Sequence, residues 1–144
     1  MGSLHISTDP PLLAPETIAY AEACRTAFGL AEWKIWLSEH DAPGGDTDTA
    51  GYTDLNTRYL QATITILRGL SPERVREVLF HEFLHVAMAW LDQAVRHIVA
   101  RLPQDDRLWA LSLYEEMEDQ TIERLTRALR RHLEPTDQPA AEAA

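Results

Sequence analysis

Cysteine is nearly absent: Cys24 stands alone in 144 residues, which excludes a disulfide framework and a cysteine-built zinc ribbon. Basic residues are scarce too. Thirteen Lys and Arg face 23 Asp and Glu, a formal net charge of −10. A surface of that sign repels phosphate, so neither nucleic acid nor an anionic membrane is an expected partner. No apolar run is long enough to span a bilayer, and the first residues lack a basic segment followed by an apolar one. These absences point to a cytoplasmic protein. No repeat and no linker divides the chain, and its length suits one domain that builds its own core.

The segments that are present read as follows. Residues 1–14 form an extended N-terminal segment with a proline pair, 15–133 a single domain, and 134–144 a small, polar, disordered tail. Pro15 to Leu30 reads as a helix with Glu16 in its first turn and Gly29 at its end. Cys24 lies in its apolar stripe as a small buried hydrophobe. Trp33 to Leu37 alternates as a strand does. Asp41 to Gly51 is a mobile loop of Gly, Pro, Asp and Thr. Tyr52 to Leu67 holds one or two strands with a turn near Asn56. Its best strand, ATITIL, puts Thr on a wet face and Ile on the core. A helix from Pro72 to about Arg101 and another from Arg107 to about His132 complete the domain. The expected class is α+β, with a small, mostly antiparallel sheet.

The chemistry centres on His81-Glu82-Phe83-Leu84-His85, a match to H-E-x-x-H. On a helix the two histidines stand one turn apart on one face, where both imidazoles reach a single ion. Zinc takes neutral imidazole nitrogen readily. Glu82 points to the side of the pair, placed to accept a proton from water rather than to bind metal. Ser71-Pro72-Glu73 is a strong helix start: a cap, a proline at the first position and an acid in the first turn. A two-histidine site needs a third protein ligand, and a Glu from a second helix can supply it. The apolar stripe of the last helix, Leu111, Tyr114, Ile122, Leu125 and Leu129, carries Glu118 near its centre and Glu115 beside it. A carboxylate on a core face is costly unless paired or metal-bound. Glu118 is the first choice and Glu115 the second, whereas Glu116 and Glu123 fall on the solvated side.

This order of elements resembles a minimal zincin with a third-ligand Glu, the gluzincin arrangement. The runs SPERVREVLFHEFLHV and EDQTIERLTRAL are similar to small zincin-like metallopeptidases encoded by phages and prophages. The resemblance covers about Pro15 to Leu133, and HEFLH is its specific part. It implies Zn2+ on His81, His85 and a Glu near 118, with Glu82 as general acid and base in the hydrolysis of a peptide or protein substrate. The Asn-Glu pair that precedes the third ligand in larger gluzincins is missing. Glu115 with Asp119 has their Glu-x-x-x-Asp spacing, while Glu118 has Ile122 there. ATITIL is the expected strand for aligning an extended peptide. Tyr52, Tyr59 and Tyr114 are the expected oxyanion donors. Two other classes fit the same residues. One is a zinc-binding accessory or scaffold protein without proteolysis. The other is a helical interaction module in which HEFLH is coincidental.

Overall fold

The computed structural model describes residues 2, 4–6, 13–41 and 49–134. Residues 42–48 of the loop expected at 41–51 and residues 135–144 of the tail expected at 134–144 lie outside them. The fold is α+β, with four α-helices and a four-stranded mixed sheet. In chain order these are β1 (Leu4–Ile6), α1 (Pro15–Ala27), β2 (Lys34–His40), β3 (Gly51–Asn56), β4 (Gln61–Leu67), α2 (Pro72–Ala87), α3 (Ala89–Val99) and α4 (Gln104–Leu129), followed by a 3₁₀ turn at Arg130–Leu133. No helix among the described residues is long and apolar enough to cross a membrane.

The sheet order is β1-β2-β4-β3. β1 with β2 and β2 with β4 are parallel, and only β3 with β4 is antiparallel. The expectation of a mostly antiparallel sheet is therefore corrected. Its source is plain: a β3–β4 hairpin is a local signal, whereas β1 joins β2 across α1 and β2 joins β4 across β3. Such long-range pairings leave no local trace. β1 itself, inside the expected lead-in, is a strand because β2 offers it an edge. ATITIL is also reassigned. As β4 it is paired on both sides, so the edge strands are β1 and β3, and the one beside α2's histidines is β3.

The sheet is dry on one face. Ile35, Leu37, Ile64 and Ile66 are fully buried there, while Thr63 is exposed on the other. That is the alternation the Thr–Ile pattern called for. α2 covers the dry face with Leu79, Phe83 and Val86, and Phe80 meets Phe28 edge to face at 5.0 Å. α1 ends at a left-handed Gly29 (φ 67°), whose N–H bonds to Thr26 while Leu30 N–H reaches back to Arg25. Only glycine takes that conformation without a Cβ penalty.

The long motif helix expected to about Arg101 is two helices. Met88 takes φ −90° and ψ 4°, and the chain turns there without a glycine or proline. The turn comes from packing: Ala89 is buried at the corner, and Val99 is buried near the far end of α3. Leu91 and Ile98 are left 53% and 66% exposed.

α4 is tied down at its middle and just past its C-terminal end. Arg96 of α3 pairs with Glu115 at 3.1 Å. Below α4, Arg130 pairs with Glu73 at 3.1 Å and Glu134 at 2.9 Å, and its carbonyl accepts from the Tyr20 hydroxyl at 3.1 Å.

Cys24 and Tyr20 lie in this core, and burial pushes the Cys24 thiol from about 9 up to about 12. Burial likewise raises the Tyr20 phenol above its usual 10. Both stay protonated in the fold when the unfolded chain would ionise. Stability is therefore intact below pH ~9 and falls as pH rises above it. We expect the fold to lose about 2 kcal/mol between roughly pH 9 and 10.5 through Cys24 alone. Urea unfolding across that range checks this. The Cys24→Ala variant should lose less, and a midpoint independent of pH would contradict it.

Candidate active site

His81 and His85 do reach one side of α2, with ring centroids 5.1 Å apart and planes inclined at 60°. The cap expected at its start is formed: the Ser71 hydroxyl accepts from Arg74 N–H at 3.2 Å. The histidines sit at the margin of the buried faces rather than among core side chains, with 24% and 21% of their side chains exposed. They open onto a cleft of about 740 Å³ between β3, α2 and α4.

Glu82 lines the same cleft from the joint between α2 and β3 and is only 6% exposed. A buried carboxylate needs a donor. Thr53 supplies it, donating its hydroxyl proton to Glu82 Oε2 in a short hydrogen bond. β3 comes this close because residue 51 is glycine. A Cβ there would lie 2.5 Å from Val78 Cγ1 and 3.0 Å from Glu82 Oε1.

Across the cleft, α4 presents three carboxylates to the imidazoles. Glu118 Oε1 lies 3.2 Å from His85 Nδ1, Asp119 Oδ1 lies 3.8 Å from His85 Nε2, and Glu123 Oε2 lies 3.5 Å from His81 Nδ1. Glu118 is the most enclosed, at 12% side-chain exposure, and its Oε2 is buried with no hydrogen-bond partner among the described residues. The Tyr114 hydroxyl is likewise buried and stands against the same Glu118 carboxylate. Burial, then the neighbouring Glu118 carboxylate, raises the Tyr114 phenol above its ordinary range.

Of the two third-ligand candidates, Glu118 faces His85 and Glu115 is committed to Arg96. Glu123 is a correction. It was expected on the solvated side, yet it faces His81. The reason is that the cleft lies beside the buried stripe of α4, not on it. Ile122 and Thr126 carry the burial, and the flanking row Glu115, Asp119 and Glu123, spaced by four, looks into the cleft. That four-residue spacing of acids was the available signal for Asp119 and Glu123. Of the expected phenols, Tyr52 lines the cleft from β3 and Tyr114 stands beside Glu118. Tyr59 lies in the β3–β4 turn, 61% exposed under the Arg58 guanidinium, and is not part of the cleft wall.

The donor set suits zinc chemically: two imidazoles from one helix turn and a carboxylate from a second helix. The unpartnered Glu118 Oε2 is a buried acceptor of the kind a cation would satisfy. As the side chains stand, no three His, Cys, Asp or Glu among the described residues are gathered into a metal-ligand cluster. The cleft wall carries Glu82, Asp92, Glu115, Glu118, Asp119 and Glu123 against the single cation Arg96. It therefore favours positive charge.

Compared with known proteins, the chain matches no family model, no curated protein and no solved structure.

The Glu82–Thr53 tie can be tested without any substrate. Thr53→Val leaves the buried carboxylate without its donor and should cost about 1–3 kcal/mol in chemical unfolding. Thr53→Ser keeps the hydroxyl and should cost clearly less. Equal losses in the two variants would assign the effect to packing rather than to the hydrogen bond.

Proposed function

We propose that the protein is a zinc-dependent metallopeptidase of minimal zincin-like form, acting on a peptide or protein substrate. One observation carries the reading: the two histidines of HEFLH meet carboxylates of a second helix across one cleft, bordered by an open strand edge. His81 and His85 would hold the metal from α2, and Glu118 from α4. When bound, zinc supplies the Lewis acidity that makes water nucleophilic near neutral pH.

Glu82 is the general base and then the general acid. Thr53 fixes one of its oxygens, leaving the other to take a proton from the attacking water and return it to the leaving amine. The free edge of β3, rather than ATITIL, would align the substrate backbone by strand addition. Tyr52 is the expected phenol that lines the cleft and would stabilise the oxyanion, while Tyr114 stands behind Glu118.

A second reading, a zincin-like accessory or scaffold protein that binds zinc without hydrolysis, is favoured by the burial of Glu82. A carboxylate tied into the α2–β3 joint also serves the fold alone. Under both readings, protein purified without added metal should contain near-equimolar zinc. His81→Ala should lose more than half of it. Glu118→Ala should weaken binding by at least tenfold, and Glu116→Ala should leave it unchanged. If Glu123→Ala is the damaging change instead, the third ligand is Glu123. Cleavage of an unfolded protein substrate, abolished by Glu82→Gln with zinc retained, separates the peptidase from the scaffold.

The metal should also stabilise the fold, since it would join α2 to α4 and bind the folded state alone. We expect a strong chelator to lower the melting midpoint and added zinc to restore it. A midpoint that stays put after zinc is shown to be gone would rule out a cross-linking role.

A further inference from the structure

Two rows of large apolar side chains stand in the open on α3 and α4. On α3, Trp90, Leu91 and Ile98 are 57%, 53% and 66% exposed. At 100° per residue they lie opposite Asp92, Arg96 and Val99, the side that carries the cleft ion pair and the buried valine. On α4, Trp109, Leu113 and Met117 recur every four residues and are 68%, 41% and 59% exposed. They fall well away from the row of Glu115, Asp119 and Glu123 that faces the cleft. α3 and α4 pack on each other as consecutive helices joined by a short turn at 100–103. The two rows thus belong to one helical hairpin.

Taking ~200 Å² for a large side chain, these exposures amount to roughly 700 Å² of apolar surface. The largest apolar patch on a typical monomer is about 300–600 Å². A standard specific interface takes about 800 Å² from each partner. The face is therefore larger than a free surface normally tolerates and close to what a stable dimer buries.

The stretches outside the described residues carry only Met1 and Leu12 as large apolar residues, and the last ten residues have none. A lipid surface is a poor match for a chain of net charge −10.

We propose that this hairpin face binds a second copy of the chain, forming a two-fold dimer in which two α3–α4 hairpins pair as a four-helix arrangement. Spacings of three and four residues on both helices are what such packing uses. An isologous contact of this kind has an uncharged centre, which lets two strongly acidic chains approach. It leaves both clefts open, because the cleft row lies on another side of α4. The proposal does not depend on the peptidase reading.

Sedimentation of the full chain tests it. At tens of micromolar the mass should be twice 16.3 kDa. Leu113→Asp on α4 and Ile98→Asp on α3 should each weaken the dimer at least tenfold, with helical circular dichroism unchanged. Met117→Asp replaces either variant if it fails to fold. Tryptophan emission should shift to the red on dissociation, because Trp90 and Trp109 become wet. A wild-type chain that stays monomeric at about 100 µM overturns the proposal. So does a dimer that survives both variants, since its contact is then elsewhere. A monomer that instead sediments with neutral phosphatidylcholine vesicles also overturns it and assigns the face to lipid.

Discussion

A carboxylate buried between a helix and a strand edge governs how this protein is put together. Glu82 sits in the α2–β3 joint at 6% exposure, and leaving it there without a donor would cost more than most single contacts supply. Thr53 meets that need, and glycine at 51 lets the strand come close enough for Thr53 to do so. The register of β3 on β4, with Thr53 opposite Ile64, then sets where the open strand edge runs. One hydrogen bond thereby links the helix of the histidines to the strand that borders the cleft.

The opposite wall depends on α4, which carries little burial of its own. Ile122 and Thr126 are its buried residues, and the rest of its contact with the molecule is ionic or half-exposed. Ion pairs tether it: Arg96 with Glu115 at its middle, Arg130 with Glu73 and Glu134 just past its C-terminal end. The Arg130 pairs are the stronger tether, since that guanidinium is 9% exposed, whereas the Arg96 pair is largely in water and worth correspondingly little. Between these tethers Glu118, Asp119 and Glu123 are held against the imidazoles. A cleft with six acids and one Arg carries an unbalanced negative charge. Under the metallopeptidase reading a dication relieves that imbalance, and the same charge explains why a metal would contribute to stability as well as to chemistry.

The molecule divides its surfaces by use. The sheet gives one face to the core and keeps Thr63, Lys34 and Trp36 on the other, with Lys34 over the Trp36 ring at 5.0 Å. α2 is covered along Val78–Val86 except where its histidines meet the cleft, while its first turn and Ala87 are exposed. The α3–α4 hairpin faces the cleft with acids and solvent with Trp, Leu, Ile and Met. An apolar row on a solvent face is as informative as a buried charge, because neither persists without a partner or a cost.

Local features were legible in the sequence because their causes are local. Ser71 and Pro72 start α2, Gly29 ends α1, and the Thr–Ile alternation of β4 separates a wet face from a dry one. Each acts within a few residues of itself. HEFLH on a helix was legible for the same reason, since a four-residue spacing needs nothing distant to bring two side chains together. The parallel pairings of β2, the turn at Met88 and the open edge of β3 depended on partners far along the chain, and no residue nearby announced them. The phase of α4 was the most instructive case. Its apolar stripe identified the buried line, but which flank faced the histidines depended on where α4 lies across α2, so Glu123 changed sides. Residue spacing determined what each element could present. Tertiary packing alone decided which of those faces met across the cleft, because the angle and offset between two packed elements are set by the whole core and by no single segment of it.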